Sequence, residues 1–302
     1  MSDPFLPINV PADRQAARIG LISDTHLPDR LRVLPPVLAA VFDGCDLLLH
    51  AGDVGELHVI DELGQIAPVV AVHGNDDTAE AQRELPEQQA IGSFGRRILL
   101  WHSHDPDPAG ERRLRQADAW PPLLARIRQR AQRAGATIAV FGHTHVPLLH
   151  EADGVLLVNP GALASGNPFI RQRLQSVALL FVYDDGTTAV RHVDLSAPDQ
   201  VVRPQIDWKA SFSSAHEALT QPILAAELAR FPALLRGGEA GEFKALAALR
   251  RVYMDLAHEC WAGQRERITA DALRAALDGN PAVHQADRHM VEELLAEAGN
   301  SV

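Results

Sequence analysis

From about residue 18 to residue 141, the chain alternates short apolar runs with amphipathic stretches. The apolar runs predict strands at residues 18–23, 46–50, 68–73, 88–93, 97–102 and 137–141. Amphipathic sequence at LRVLPPVLAAVFDG and near residues 55–65 predicts helices between the first three strands. A long Arg-rich helix is expected at residues 111–134, ending at Gly135. This alternation of strands and helices is typical of a sheet that begins with parallel strands.

After His145 the pattern changes to β-hairpins. Asp153-Gly154 and Asp185-Gly186 each separate two apolar runs, and Gly92-Ser93-Phe94-Gly95 separates two of the earlier strands. Asp-Gly between apolar runs strongly favours a tight hairpin turn, because both residues tolerate a left-handed backbone. A sheet that begins with parallel strands and then gains antiparallel hairpins is a mixed sheet. We therefore expect an α/β fold with two mixed sheets packed face to face and helices outside.

The last third of the chain has a helical pattern and no strand pattern. It follows a predicted linker, SAPDQVVRPQI, at residues 196–206. One buried helix face is predicted from apolar side chains spaced three and four apart, namely Leu246, Leu249, Tyr253, Leu256 and Cys260. Two further helices are expected near residues 268–278 and 283–298, with Thr269 as an N-cap and Gly279 as a stop.

These patterns divide the chain into three predicted parts. Residues 1–17 form an N-terminal arm, residues 18–197 form the main α/β domain, and residues 198–302 form a small all-helical C-terminal region. For the helical region we consider a cap, a lid over the site or a dimerisation element. A cap or dimerisation element is favoured over a lid.

Composition narrows the class of protein. The net charge of −11 argues against a broad nucleic-acid-binding surface, because phosphate contacts need a basic footprint. The two cysteines, Cys45 and Cys260, lie far apart and suggest no disulfide framework, which favours a reducing compartment. Neither a signal-peptide core nor a run of membrane-spanning length is found in the sequence. We expect a cytoplasmic protein without membrane contact.

Residues that can hold a metal follow five of the apolar runs. They are Asp24, His26, Asp53, Asn75, His102, His143 and His145. Segments that leave the carboxyl ends of strands in an α/β sheet converge on one rim, where ligands bind. We therefore expect these side chains to meet there and to form a pocket for two divalent cations.

The local motifs suit this chemistry. In Asp24-Thr25-His26 and in His143-Thr144-His145, two ligands at i and i+2 project to the same side of an extended backbone. Mixed nitrogen and oxygen donors suit Mn²⁺, Fe or Zn²⁺ better than Ca²⁺ or Mg²⁺. Each motif alone has an ordinary alternative, since Gly-Asp and Gly-Asn are common turn dipeptides and a lone His is often structural. Their joint occurrence at five strand ends is what favours a metal site.

The ordered set SDTH, HAGD, HGND, WHSH and GHTH resembles the calcineurin-like metallophosphoesterase family, and is most similar to its small prokaryotic phosphodiesterases. Asn159-Pro160-Gly161 also matches that branch, and the resemblance covers about residues 18–195. It implies a four-layer αββα sandwich for the main domain. It also implies a hydrolase that uses two divalent metal ions, Mn²⁺ first, with Fe, Zn²⁺ or Ni²⁺ as alternatives.

The resemblance also implies a role for each candidate ligand. One metal ion is assigned to Asp24, His26 and His145, and the other to Asn75, His102 and His143, while Asp53 bridges both ions. Two ions about 3.5–4 Å apart lower the pKa of a bridging water and clamp the phosphoryl oxygens, so a hydroxide can attack phosphorus. Asp53 and Asn75 are therefore also expected to take part in catalysis, and Asn75 in substrate binding.

Two positions depart from the family pattern. Many members carry His after the Gly-Asn pair and use it to protonate the leaving group, whereas this chain has Asp76 and Asp77 there. Esters with good leaving groups should then react best. Ser103 stands where Gly is common, and its hydroxyl could narrow the pocket or reach a phosphate oxygen.

Three further residues are predicted to support the site. His104 resembles the family's second His in the WHSH motif and could contact phosphate or donate a proton. Asp77 and His50 are expected to orient ligands by hydrogen bonding from behind them.

The function that follows is a metal-dependent phosphoesterase, with a phosphodiesterase favoured over a phosphomonoesterase or nucleotidase. A non-catalytic interaction scaffold of the same fold is the alternative from another class, and the intact set of seven ligands favours the enzyme. The expected partner is a small phosphorylated substrate, and the C-terminal helices are a candidate surface for homo-oligomers.

Overall fold

A computed structural model describes residues 6–7, 16–236 and 247–299. By internal contacts the chain falls into two compact units. The first unit contains residues 1–166 and 172–219, and the second contains residues 167–171 and 220–302. The predicted division at residues 197 and 198 stays a prediction.

The strands, in chain order, are β1 (Leu6–Pro7), β2 (Ala16–Ile22), β3 (Leu47–His50), β4 (Val69–Ala71), β5 (Gln88–Ser93), β6 (Arg96–Trp101), β7 (Ile138–Phe141), β8 (Leu148–Ala152), β9 (Val155–Asn159), β10 (Ile170–Gln172), β11 (Ser176–Tyr183), β12 (Thr188–Asp194), β13 (Val201–Val202) and β14 (Thr220–Pro222). The α-helices are α1 (Val37–Val41), α2 (His58–Gly64), α3 (Ala79–Glu84), α4 (Pro108–Ala117), α5 (Trp120–Arg133), α6 (Phe212–Ala218), α7 (Phe231–Arg236), α8 (Ala247–Trp261), α9 (Ala270–Asp278) and α10 (Gln285–Gly299).

The first sheet has the strand order β13-β12-β11-β2-β3-β4. Strands β2, β3 and β4 run parallel, as predicted, with Leu21 opposite Leu49 and His50 opposite Ala71. Strand β11 joins β2 antiparallel and forms a hairpin with β12. The predicted turn at Asp185-Gly186 lies in that hairpin, where Gly186 has a φ of 79°.

The second sheet has the order β1-β5-β6-β7-β9-β8. Strands β6, β7 and β9 are parallel, whereas β5 is antiparallel to β6 and β8 is antiparallel to β9, so this sheet is mixed as well. Strand β1, from the predicted N-terminal arm, pairs in parallel with β5. The other residues of that arm before Ala16 lie outside the described part of the chain.

Packing produces four layers in the first unit. Apolar side chains from the inner faces of both sheets form one core, which includes Leu21, Leu49, Leu100 and Val140. A second core lies between the outer face of the first sheet and helices α1 and α2, and a third lies between the second sheet and α5. The predicted αββα sandwich of two mixed sheets is therefore confirmed.

Two helix predictions were wrong in extent. The stretch predicted as one helix from Leu31 to Gly44 contains only α1, because Pro35 and Pro36 lack the amide hydrogen that a helix interior needs. The long helix predicted at residues 111–134 is two helices, α4 and α5. It breaks where Asp118 adopts a left-handed backbone, with a φ of 43°.

The second unit contains most of the predicted helical region. Buried side chains of α8 include Leu249, Tyr253, Leu256 and Cys260, as the spacing predicted, while Leu246 lies outside the described residues. Thr269 caps α9 by accepting a hydrogen bond from the Ala272 backbone. The expectation of no strand in this region was wrong, because β14 is present. Among the described helices, none combines the length and the apolar character that crossing a membrane requires.

Candidate metal centre

The predicted ligands all follow the carboxyl ends of strands. Asp24 and His26 come after β2, Asp53 after β3, and Asn75 after β4 in the first sheet. His102 follows β6, and His143 and His145 follow β7 in the second sheet. The ends of both sheets meet at one rim, because His145 lies beside Asp24 and His102 lies beside Asp53.

The backbone at five of these positions is left-handed, which is uncommon for residues other than glycine. The φ angles are positive at Asp24, His26, Asp53, His143 and His145. Such conformations cost free energy and gather at functional sites, where the surrounding structure enforces them. The extended backbone expected at Asp24–His26 and at His143–His145 is therefore wrong, because all four of these ligand residues have a positive φ.

The first ligand group consists of Asp24, His26 and His145, whose ligand atoms all lie within 4.8 Å of one another. Nε2 of His145 is 3.2 Å from Oδ1 of Asp24, and Nε2 of His26 is 3.4 Å from Nε2 of His145. The other ring nitrogen of His145 contacts the carbonyl oxygen of Ala164 at 3.0 Å. That contact leaves Nε2 facing the group.

The second group consists of Asp53, His102 and His143, again within 4.8 Å. Oδ2 of Asp53 lies 3.2 Å from Nε2 of His102 and 3.6 Å from Nε2 of His26. The Asp53 carboxylate therefore stands between the two groups. This is the position that a bridging ligand needs.

The side chain of Asn75 belongs to neither of these two ligand groups. Its side chain is exposed, and its Nδ2 donates to Oδ1 of Asp76 at 2.7 Å. The backbone nitrogen of Asp76 donates to Oδ1 of Asp53 at 2.8 Å, so the Gly74-Asn75-Asp76 turn still contacts the centre. The roles predicted for the Asn75 side chain remain predictions.

Three observations fit divalent cations at these groups. Among the described residues, Nε2 of His102 is buried without a hydrogen bond, although it faces Oδ2 of Asp53. Burial alone would lower the pKa of His102, but Asp53, Asp24 and the Ala51 carbonyl together outweigh it and raise this pKa to about 10. The carboxylates thus favour a positive charge at this spot. Imidazole and carboxylate donors together are those that Mn²⁺, Fe and Zn²⁺ accept.

The carboxylates are ionised and one imidazole is neutral, as ligands require. Burial would raise the pKa of Asp24, but the charge of His145 holds it well below its usual range. Burial would likewise raise the pKa of Asp53, but the charge of His102 and the hydrogen bond from the Asp76 backbone lower it well below its usual value. Burial lowers the pKa of His26 to about 3 despite the nearby Asp53 carboxylate.

Asp77 and His50 lie close to the predicted ligands, and the orienting role expected of them stays a prediction. Asp77 accepts hydrogen bonds of 2.6 Å from the backbone nitrogens of Gly55 and Gly74, which joins the loops after β3 and β4. His50 is fully buried, and its Nε2 lies 3.1 Å from the hydroxyl of Thr25. Burial lowers the pKa of His50 to about 4. Both residues contact the loops that carry ligands.

Ser103 and His104 occupy different environments. Ser103 is fully buried, and its hydroxyl donates to the carbonyl oxygen of Gly142 at 3.3 Å. That hydroxyl joins two ligand-bearing loops, which gives no support to the predicted contact with substrate. The His104 ring lies 5.5 Å from the His102 ring, and burial followed by the charge of His102 lowers its pKa to about 4.

Sequence reasoning missed four side chains at or beside the centre. They are Arg30, Asp76, Glu111 and His216. Glu111 is in the first turn of α4, and its Oε1 lies 2.8 Å from Nε2 of His143. The His216 ring of α6 lies 6.3 Å from the His145 ring. The only sequence signal for Arg30 was its position four residues after His26, and Glu111 resembled any acidic residue of an exposed helix.

Known proteins are similar in sequence to part of this chain. A probable metallophosphoesterase from Methanocaldococcus jannaschii is 33% identical over 144 residues, which are 48% of this chain and 67% of that protein. A phosphodiesterase of the same organism is 25% identical over 158 residues, 48% of this chain and 82% of that protein. Among solved structures, vacuolar protein sorting 29 from Cryptosporidium parvum is 22% identical with a TM-score of 0.46, covering 60% of this chain and 98% of that chain.

A sequence profile for the calcineurin-like phosphoesterase superfamily domain matches residues 18–185, which is more than half of the 302 residues. The predicted resemblance is confirmed. So is the predicted class of protein, a metal-dependent phosphoesterase. The chain belongs to the calcineurin-like phosphoesterase superfamily.

Proposed function

We propose that this chain is a phosphodiesterase that uses two divalent metal ions. The observation that carries the proposal is the position of the Asp53 carboxylate between two groups of ligands, one with Asp24, His26 and His145 and one with His102 and His143. An isolated metal would need one such group. Two groups that share a carboxylate are what a pair of adjacent ions requires.

In this proposal, Asp24, His26 and His145 would hold one ion, and His102 and His143 the other, with Asp53 between them. Asn75 would complete the coordination of the second ion after a change of its side-chain rotamer. When bound, such ions lower the pKa of a coordinated water and stabilise charge on the phosphoryl oxygens. Mn²⁺ is the ion we propose first, with Fe, Zn²⁺ or Ni²⁺ as alternatives, because mixed imidazole nitrogen and carboxylate oxygen donors suit such ions better than Ca²⁺ or Mg²⁺.

The chain's own residues hold the ligands in place. The carbonyl oxygens of Ala51 and Ala164 contact Nδ1 of His102 at 2.7 Å and Nδ1 of His145 at 3.0 Å. Each contact makes the Nδ1 atom a hydrogen-bond donor and leaves Nε2 free to coordinate. Positioning of this kind, with charge stabilisation, is the protein's main part in phosphoryl chemistry.

A diester is favoured as substrate because a relative with 25% identity carries the name phosphodiesterase. The position after Asn75 carries Asp76 where many family members have a proton-donating His, so esters whose leaving group needs no protonation should react best. His104 stays a proposed contact for phosphate rather than a proton source, because its lowered pKa makes it neutral near pH 7.

The test is hydrolysis of two aryl esters, bis(p-nitrophenyl) phosphate and p-nitrophenyl phosphate, by protein loaded with Mn²⁺, Zn²⁺ or Fe²⁺. We expect the diester to be the better substrate. Asp53→Asn should lower the rate by at least about 100-fold, because the bridging charge is lost. Asp43→Asn, which changes an exposed carboxylate, is the matched control.

Three outcomes would count against this assignment. Full activity of Asp53→Asn under saturating metal would rule out a catalytic metal site bridged by Asp53. A faster reaction with the monoester would favour the phosphomonoesterase alternative. Tight metal binding without hydrolysis of any ester would favour the interaction scaffold. The small phosphorylated substrate, the cytoplasmic location and the homo-oligomer through C-terminal helices stay predictions.

A further inference from the structure

Arg30 is held at the edge of the metal centre by the backbone. Its Nη1 atom donates to the carbonyl oxygens of Ser165 and Gly166, at 3.1 Å and 3.2 Å. The side chain is 16% exposed, so the guanidinium is mostly enclosed. Two carbonyl contacts on one nitrogen fix the plane and direction of the group, which a long and flexible side chain does not achieve alone.

The same nitrogen approaches a ligand of the first group. Nη1 of Arg30 lies 3.2 Å from Nε2 of His26, the atom that faces His145 and Asp53. A cation held by His26 would therefore be a close neighbour of the guanidinium. A bound anion could then contact both positive charges.

Among the described residues, Asp76 is the one negatively charged side chain in contact with this guanidinium. Nη2 of Arg30 lies 2.7 Å from Oδ2 of Asp76, whose side chain is 38% exposed. The contacts with Ser165 and Gly166 neutralise none of the positive charge, because carbonyl groups carry no net charge. An ion pair with a partner this exposed to water contributes little to stability. A phosphate oxygen can therefore replace Asp76 at small cost.

We propose that Arg30 binds a non-bridging oxygen of the substrate's phosphoryl group, with Asp76 as the counter-charge that phosphate displaces. This inference rests on the proposed function, because a phosphoester hydrolase must hold a phosphoryl group at the metal centre. Guanidinium groups recognise phosphate by paired, charge-assisted hydrogen bonds. The negative charge on a phosphoryl group also increases as a nucleophile attacks, so a fixed positive charge favours the transition state.

The first test measures binding without catalysis. Protein loaded with Mn²⁺ is titrated with inorganic phosphate by isothermal titration calorimetry, and its metal content is determined after dialysis. Arg30→Gln should weaken phosphate binding by at least about tenfold, because a charge-assisted hydrogen bond is lost. Its metal content should equal that of the wild type. The phosphate affinity of Arg30→Lys should lie between those of the wild type and Arg30→Gln, since lysine keeps the charge and loses the paired geometry.

Arg32→Gln is the matched control, because it removes the same charge two residues along the same segment from an exposed side chain. Its phosphate affinity should stay within about twofold of the wild type, as expected for a solvent-exposed charge. If Arg30→Gln were poorly folded, Arg30→Lys would serve as the deciding variant.

Several results would overturn the inference. Phosphate affinity unchanged in Arg30→Gln would do so, as would a wild type that does not bind phosphate. Loss of metal from Arg30→Gln would also overturn it, because the arginine would then act on His26 rather than on the anion. A protein that binds phosphate through Arg30 but hydrolyses no ester would contradict the proposed function and leave this inference standing.

Discussion

Nε2 of His143 lies 2.8 Å from Oε1 of Glu111. This contact uses one ring nitrogen of a predicted metal ligand and leaves Nδ1 for the centre. Burial would raise the pKa of Glu111, but its bond with His143 lowers that pKa below the usual range, so the carboxylate is ionised. Carboxylates that accept a hydrogen bond from a ligating histidine commonly orient its ring.

Glu111→Gln should therefore weaken metal binding through His143. We expect a loss of about 10–100-fold in metal affinity, because the carboxylate no longer orients the ring. Calorimetric titration of metal-free protein with Mn²⁺ measures this directly. Arg115→Gln is the control, because Arg115 pairs with the same carboxylate at 3.0 Å from the exposed side of α4. Equal metal affinity in Glu111→Gln and the wild type would remove Glu111 from the site.

Gly74 allows the Asp53 carboxylate to occupy its position between the two ligand groups. A Cβ at residue 74 would overlap Oδ1 of Asp53 and lie 2.5 Å from its backbone nitrogen. Gly74→Ala should displace the carboxylate and lower metal affinity by at least about tenfold, as loss of ligand orientation does. Metal content after dialysis, measured together with thermal unfolding, tests this expectation.

Gly64→Ala gives the matched control, since a Cβ there meets nothing within 4 Å at the end of α2. It should leave metal binding unchanged and keep or slightly raise Tm, because Ala is the better helix residue. If Gly74→Ala also bound metal normally, the close approach of residue 74 to Asp53 would not be needed for metal binding.

Much of the fold and site could be predicted because both follow from strand patterns. Apolar runs locate strands, and parallel strands deliver the residues after them to one rim. Six of the seven predicted ligands accordingly lie in two compact groups. Asn75 differs because its exposed side chain turns to Asp76, a rotamer choice that periodicity does not encode.

The residues that were missed come from contacts between segments distant in sequence. Arg30 is directed by the carbonyl groups of Ser165 and Gly166, more than 130 residues later in the chain. Glu111 lies in the first turn of α4, which begins at Pro108 after an Asp107 cap. Its contact with His143 joins residues 32 apart in the chain, and helix periodicity does not predict such a contact.

The end of the first unit can be tested by shortening the chain. Helix α6 packs within that unit: the Phe212 ring lies 5.3 Å from the buried Trp120 ring, and the Ser213 backbone donates to Asp118 at 2.7 Å. A protein ending at residue 197 loses these contacts, whereas one ending at residue 219 keeps them. We expect the shorter protein to be less stable by at least about 2 kcal/mol, as for other losses of aromatic packing. Equal stability in urea unfolding would support the predicted division at residue 197 instead.

His50 should make the stability of the metal-free protein depend on pH. Burial lowers its pKa from 6.5 to about 4, so between these values the unfolded chain binds a proton that the folded chain excludes. Stability therefore rises with pH in this window and falls as the pH drops from 7 towards 4. For this residue alone, the free energy of unfolding should fall by about 2 kcal/mol between pH 7.5 and pH 5.

Urea unfolding of EDTA-treated protein at several pH values measures this dependence. His50→Gln should be less stable at pH 7.5, because its contact with Thr25 is lost, but its stability should fall less between pH 7.5 and pH 5. His289→Gln, which changes an exposed histidine, should keep the slope of the wild type. An unchanged slope in His50→Gln would show that the folded protein tolerates a proton on His50, and that this ring does not act as a neutral support behind the Asp24 loop.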